Sequence, residues 1–155
     1  MGSGPTCHLA EKISKKSGKR FRGVILQSPL LSIYRVAFDF RFSMPGDIFC
    51  NVDKIKNIKS PIFVIHGRRD EIVPFWHGSR LYNAIDPKFR FKPWWIDGGG
   101  HNNIEKLLEH SADNILHVKF GEFVAFCRQF DFEADDGVEE GGLLSAAAAA
   151  ANFIR

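Results

Sequence analysis

Two short stretches of this sequence combine residues able to do acid–base chemistry with a setting that would hold them in place. The first is His66-Gly67-Arg68-Arg69-Asp70, directly after the apolar run Ile62-Phe63-Val64-Ile65. The second is Gly98-Gly99-Gly100-His101, directly after Trp94-Trp95-Ile96. Open α/β sheets turn the carboxyl ends of their strands toward the ligand crevice, so an Asp and a His in such loops can meet although 31 positions separate them. A carboxylate that holds an imidazole in one tautomer is what the general base of a nucleophile requires. Each loop alone has a plainer reading: an Asp after a glycine turn is commonly a cap, and a lone loop His is commonly solvated. Their order, each following a strand, favours Asp70 as the acid and His101 as the base. His66 is read as shaping the turn rather than reacting.

Positioning such a pair takes a sheet, and the sequence pattern supplies one. Residues 2–6 are turn-like, and Cys7-His8-Leu9-Ala10 opens a short amphipathic helix with Thr6 as N-cap and Ser17-Gly18-Lys19-Arg20 as its stop. Residues 21–29 form a short apolar run ended by Ser28-Pro29, read as a buried strand. Residues 30–50 are aromatic and irregular, a short helix followed by a loop, and 52–58 make one or two helical turns. A second buried strand covers 60–67, an amphipathic helix 74–85 and a third strand 89–96, where Pro93 favours an edge position or a bulge. After the flexible turn at Gly98-Gly99-Gly100, apolar residues at Ile104, Leu107, Leu108, Ile115, Val118, Phe123 and Phe126 keep helical spacing, with an interruption near 111–114. Residues 1–130 make one domain, and the acidic, then alanine-rich stretch 131–155 reads as a disordered tail. Strands alternating with helices indicate an α/β fold with a parallel sheet. About three strands with flanking helices leave an apolar edge unpaired, so the pattern is half of a larger sheet, and self-association through that edge is expected.

Composition excludes several classes. At 155 residues the chain fits one domain, and 15 Phe call for a bulky core or an apolar pocket. A net charge of only +3, without a long basic block, argues against nucleic acid as a partner. Trp94-Trp95 beside Arg90 and Lys92 could form a base-stacking platform, but their strand setting favours core packing. Cys7, Cys50 and Cys127 form no CxxC pair, which leaves neither a zinc site nor a disulfide framework and fits a reducing compartment. His8, His77, His110 and His117 lack ligand spacing, so no metal and no cofactor is expected. No stretch approaches the ~18–20 apolar residues of a membrane span, and the first residues lack a signal peptide's apolar region. A cytoplasmic location follows as the expectation.

Several segments resemble the α/β-hydrolase domain-containing protein 17 family: Gln27-Ser28-Pro29-Leu30, Arg35-Val36-Ala37-Phe38, Asn51-Val52-Asp53-Lys54-Ile55, Ile65-His66-Gly67-Arg68-Arg69-Asp70-Glu71 and Gly100-His101-Asn102. The Arg-Val-Ala-Phe and Asn-Val-Asp-Lys-Ile segments are fairly specific, whereas HGxxD and Gly-His are shared by many α/β-hydrolases. The resemblance spans about residues 1–129 and implies the C-terminal half of an α/β-hydrolase. It also implies a serine hydrolase that removes palmitate from cysteine thioesters of S-acylated proteins, a palmitoyl-protein thioesterase. Asp70 would be the triad acid and His101 the base. Phe38, Phe40 and Phe42 alternate beside Arg41 and Met44; they would line an acyl-chain pocket, since such sites are mainly apolar, or serve as ordinary core or lid packing.

The same resemblance implies a gap. In the family a strand enters the nucleophile elbow G-x-S-x-G, followed by small residues, Pro and Thr. Met1-Gly2-Ser3-Gly4-Pro5-Thr6 matches the residues just past the elbow serine: Gly2 is the elbow's last glycine and Met1 the position after the nucleophile. The serine is expected immediately upstream of Met1. Ser3 is no substitute, because the elbow needs its serine at the apex of a strand-to-helix turn. The family associates peripherally with membranes through an N-terminal cysteine-rich segment that this sequence does not contain. The expected activity is therefore acyl transfer by a Ser-Asp-His triad without its nucleophile. Against it stands a truncated, inactive product, serving as an interaction module or arising from an incomplete gene model.

Overall fold

A computed structural model describes residues 2–16, 19–32, 50–109 and 115–130. The fold is α/β. Strands β1 (Val24–Gln27), β2 (Ile62–Gly67) and β3 (Trp94–Ile96) form one sheet in the order β1-β2-β3, with both pairings parallel. Helix α1 (Ser3–Lys16) precedes the sheet, and α2 (Asn51–Lys54), continued by a 3-10 turn Ile55–Asn57, lies between β1 and β2. Helix α3 (Phe75–Ala84) and a second 3-10 turn, Pro87–Phe89, connect β2 to β3; α4 (Ile104–Glu109) and α5 (Ile115–Cys127) come after β3.

The alternation of β2 explains the layering. Successive strand side chains point to opposite faces, and all six residues of β2 are buried. Ile62 and Val64 enter a core with Cys7 and Ala10 of α1, Val24 and Leu26 of β1, and Leu81 of α3. Phe63 and Ile65 enter a second core with Ile96, Ile104, and Phe123 and Cys127 of α5. Parallel strands covered on both faces are apolar throughout, which is why β2 reads as an unbroken hydrophobic run. β1 is different: Val24 and Leu26 are buried, while Ile25 is 43% exposed. The free side of β1 adjoins a hollow of about 230 Å³ lined by Thr6, Leu9, Phe21, Gly23, Val24 and Ile25.

Three local expectations need correction. α1 begins at Ser3, so residues 3–6 are helical rather than turn-like. Pro5 is tolerated there because first-turn amides need no intrahelical acceptor. Thr6 is not an N-cap; its hydroxyl donates back to the Gly2 carbonyl at 2.8 Å. The third strand is shorter than 89–96. Asp86 caps the turn at Pro87–Phe89 by accepting from the Lys88 amide. The chain then touches β2 at an isolated bridge, Ile62 to Arg90, before pairing resumes at Ile65 to Trp94. Four steps on this strand match three on β2, so one extra residue bulges out beside Pro93, which has no N–H to offer the ladder.

Phe63 anchors the second core. It is fully buried, with its ring centroid 5.1 Å from Phe91 and 5.4 Å from Phe123. Phe63→Ala should cost about 3–5 kcal/mol. A lowered urea midpoint with an unchanged slope would show it, and a midpoint equal to wild type would show that this face of β2 is not a packed core.

Candidate active site

β2 delivers the first half of the site. Past Gly67 the chain turns through Arg68 and Arg69 to Asp70, whose side chain is shielded from solvent. Asp70 Oδ1 accepts the backbone amides of Ile72 (3.1 Å) and Val73 (2.8 Å). That is the turn-capping role open to any Asp here, and it also fixes the carboxylate. Val73 is clamped at both ends, because its carbonyl accepts from His66 Nε2 at 2.9 Å. His66 is fully buried on β2, and α3 passes over it at Gly78, where any Cβ would collide with His66 Nδ1.

β3 delivers the second half. His101 Nδ1 lies 2.9 Å from Asp70 Oδ2 and 3.1 Å from Oδ1. A carboxylate only accepts, so Nδ1 is the donor of this hydrogen bond. The imidazole is 28% exposed, so it is held but not sealed in. Two backbone hydrogen bonds stitch the loops together: Arg68 N–H to the Ile96 carbonyl at 3.0 Å and Arg69 N–H to the Gly99 carbonyl at 2.8 Å. Gly67 permits this, since a Cβ there would overlap the Gly99 carbonyl group. Asn103 Oδ1 accepts the Gly100 amide at 2.6 Å and steadies the turn just before His101.

The electrostatics reflect burial and donors. Burial pushes the Asp70 carboxyl up, but the Val73 amide, the His101 ring, the Ser28 hydroxyl and the charge on His101 outweigh it, so its pKa lies below the ordinary value. Burial dominates at His66 and pushes its pKa down against the Val73 carbonyl and Asp70, which keeps the ring neutral. His66 Nε2 is 3.5 Å from Asp70 Oδ2, too long to compete with its bond to Val73. The arrangement is one fixed anion hydrogen-bonded to one partly exposed imidazole.

Asp70 and His101 are thus brought together, while His66 is confined beneath them. Gly2 stands at the head of α1, where its carbonyl accepts the Thr6 amide at 3.1 Å. Ser3 Oγ makes long contacts to the Leu30 amide (3.5 Å) and Asn51 Nδ2 (3.4 Å), so α1 starts beside the segment leaving the carboxyl end of β1. Met1, Phe38, Phe40, Phe42 and the tail 131–155 lie outside the described residues. Two buried thiols offer no nucleophile, because burial pushes Cys7 up to about 12 and Cys127 up to about 11. A hollow of about 300 Å³ along β3 is lined by Arg68, Trp94 and Lys119, among others, and includes neither Asp70 nor His101. Two of its cations are paired, Arg68 with Asp97 at 2.9 Å and Lys119 with Glu122 at 2.8 Å. Trp95 packs edge-on against Phe75 and Tyr82, and Trp94 packs against the second core, as core aromatics do. Among the described residues no group of three His, Cys, Asp or Glu is placed to hold a metal ion.

Ser28 and the approach glycines Gly67 and Gly78 belong to the site but were not singled out in the sequence. For Ser28 a signal existed: it ends the strand that pairs with β2, so it must lie beside the HGxxD turn.

Among curated proteins, alpha/beta hydrolase domain-containing protein 17C of Mus musculus is 42% identical over 121 residues, covering 76% of this chain and 35% of that protein. Alpha/beta hydrolase domain-containing protein 17B of Homo sapiens is 39% identical over 106 residues, covering 68% of this chain and 34% of that protein. The chain spans about a third of the length of these relatives. In fold it is similar to a Pyrococcus furiosus esterase (TM-score 0.51, 18% identity, 77% of this chain and 49% of that one). The esterase domain of a Rhodothermus marinus protein is similar too (TM-score 0.51, 13% identity, 82% of this chain and 57% of that one). No family model matches the chain.

Two outcomes test this geometry. The Asp70 pKa is lowered on folding, so its contribution to stability is complete above the unfolded value of about 3.9 and disappears as pH falls through the folded value. Asp70→Asn should therefore flatten the acid limb of the stability curve, read as urea midpoints from neutral pH down to about pH 2; curves that stay parallel to wild type would refute it. Gly67→Ala should force the two loops apart and cost about 1–3 kcal/mol. Imidazole ¹⁵N spectra should then show His101 losing its fixed Nδ1–H tautomer, whereas an unchanged tautomer would mean the close approach does not position the base.

Proposed function

Because this chain is homologous to the alpha/beta hydrolase domain-containing protein 17 family, we propose that it carries the acid and the base of a serine hydrolase, Asp70 and His101. The observation that carries this reading is the 2.9 Å contact between His101 Nδ1 and the buried Asp70 carboxylate, each at the carboxyl end of a parallel strand. In the proposed reaction a serine hydroxyl attacks the acyl carbonyl. His101 Nε2 takes the hydroxyl proton, Asp70 stabilises the imidazolium, and His101 returns the proton to the leaving group. Water then repeats the sequence to release the acid and restore the serine.

The serine comes from outside these 155 residues, which contain no G-x-S-x-G. Gly2, at the head of α1 and beside the segment leaving β1, is the proposed remnant of the elbow, with Met1 before it. The open edge of β1, where Ile25 is 43% and Leu9 51% exposed, supports a sheet that continues past β1 in the complete enzyme. By the family resemblance the substrate is an acyl thioester on an S-acylated protein, and Phe38, Phe40 and Phe42 contact the acyl chain. Among the described residues no helix is long and apolar enough to cross a membrane.

A second reading, an inactive fragment, is favoured by the missing motif and the buried, protonated thiols. Expressing the 155 residues alone, and joined to the coding sequence directly upstream, separates the two. Treated with a fluorophosphonate probe, the longer product should label on a serine within a G-x-S-x-G, and the short chain should not. Labelling rates of the longer product should fall by about 10⁴-fold with Asp70→Asn, and His101→Ala should lower them as severely. If neither product labels, the hydrolase reading is wrong.

A further inference from the structure

One residue at the site combines two unfavourable features that the triad alone does not explain. Ser28 is the single described non-glycine residue with positive φ, at 43°, a backbone region costly for residues with a Cβ. Its Oγ is sealed from solvent and completes no hydrogen bond in this rotamer, near as it is to the Asp70 carboxylate, although buried hydroxyls are nearly always satisfied. The backbone is held there by the sheet: Gln27 pairs with Ile65, and the Ser28 amide donates to the Ile65 carbonyl at 2.8 Å. Ser28 is thereby fixed at the carboxyl end of β1, one strand from the turn that carries Asp70.

We propose that Ser28 is a positioning residue for the acid, its left-handed backbone holding a hydroxyl against the Asp70 carboxylate as a further donor. Asp70 Oδ1 already has the amides of Ile72 and Val73, whereas Oδ2 has His101 Nδ1 as its close donor. The carboxylate therefore keeps unused acceptor capacity on Oδ2. A serine hydroxyl rotates freely, so a small change in χ1 completes the bond without moving backbone. The role matters most when His101 carries a proton, because Asp70 must then remain the anion. The other ionisable groups around Asp70 cannot substitute. His66 of β2 is neutral and committed to Val73, Glu71 is itself an acceptor facing the His101 amide at 3.4 Å, and Arg68 is paired with Asp97. Consistent with this placement, the hydroxyl is among the groups that lower the Asp70 pKa.

This inference rests on Asp70 being the acid, yet its test needs no turnover. In the 155-residue chain, the ¹³C carboxyl resonance of Asp70 is followed against pH in wild type, Ser28→Ala and Ser28→Gly. Both variants lose the hydroxyl, but glycine also relieves the positive φ. Both should raise the Asp70 midpoint, by about one pH unit, while Ser28→Gly unfolds at a higher urea concentration than Ser28→Ala. A midpoint unmoved in both variants would overturn the proposal. So would a shift confined to Ser28→Ala, since the effect would then be backbone strain. A probe-silent longer product overturns the hydrolase reading, whereas an unmoved midpoint overturns only the role of Ser28.

Discussion

A strand buried on both faces has nowhere to place a polar group along its length, so polar chemistry is confined to where the strand ends. All six residues of β2 are buried, and Ile62 to Ile65 feed the two cores in strict alternation. His66 is the first polar side chain the strand offers, and it is admitted because its Nε2 has the Val73 carbonyl. Gly67 comes next, and its missing side chain lets the Gly99 peptide cross. Asp70 lies within one further turn. The site stands just past the end of β2, where a charge is still buried but backbone amides and a second loop are within reach of it, and its neighbours are set by what fits against Gly67.

That position also decides the ionisation of the pair. Burial alone would drive the Asp70 carboxyl toward its neutral form, and it is the donors gathered on it that reverse the sign. The carboxylate is thus an anion kept in place at a cost offset by directed hydrogen bonds, a stable arrangement only if those donors cannot drift. They cannot drift far. The Val73 amide is tied to a residue whose carbonyl is held by His66, and the loop bearing His101 is pinned by the Arg68 and Arg69 amides. A neutral His66 adds no competing positive charge beneath the carboxylate, so His101 is the imidazole that Asp70 orients.

Local signals in the sequence were legible, and those imposed by distant neighbours were not. The buried strand 60–67 and the helix over 74–85 belong to the first kind: an apolar run bounded by proline and glycine, and helical spacing. The pairing of Asp70 with His101 was legible because parallel strands with helical connections send both loops to one end of the sheet. Elsewhere tertiary context prevailed. Gly2 through Thr6 looks like a turn by composition, yet the helix extends through it, because Pro5 costs nothing in a first turn and Ser3 reaches Leu30 and Asn51. The strand over 89–96 looked continuous because its residues suit strands, but Pro87 and Asp86 favour a 3-10 turn and Pro93 cannot donate to the ladder. The place of Ser28 beside the turn could be read, but its backbone conformation could not. A positive φ on a serine is imposed by the neighbouring strand, and nothing in the sequence around it announces that.

The Asp70–His101 pair is held locally, within the two loops that carry it. Among the described residues, the hydrogen bonds that fix Asp70 and His101 come from the loop after β2 and the loop after β3. None depends on the open side of β1, where Ile25 and Leu9 border a hollow of about 230 Å³. Orientation of the base and the presence of something to deprotonate are therefore separate properties, and these residues account only for the first. The asymmetry is large, since removing a triad serine costs about 10⁶-fold where it has been dissected, and no refinement of an Asp–His contact restores that. Conversely, a serine supplied by further sheet would meet a base whose tautomer is already set and whose acid is already ionised. The orientational part of the barrier would then have been met before substrate arrives. The pairing is a consequence of topology: adjacent parallel strands β2 and β3 bring Asp70 and His101 to one end of the sheet, and in the proposed reading a nucleophile needs a strand of its own.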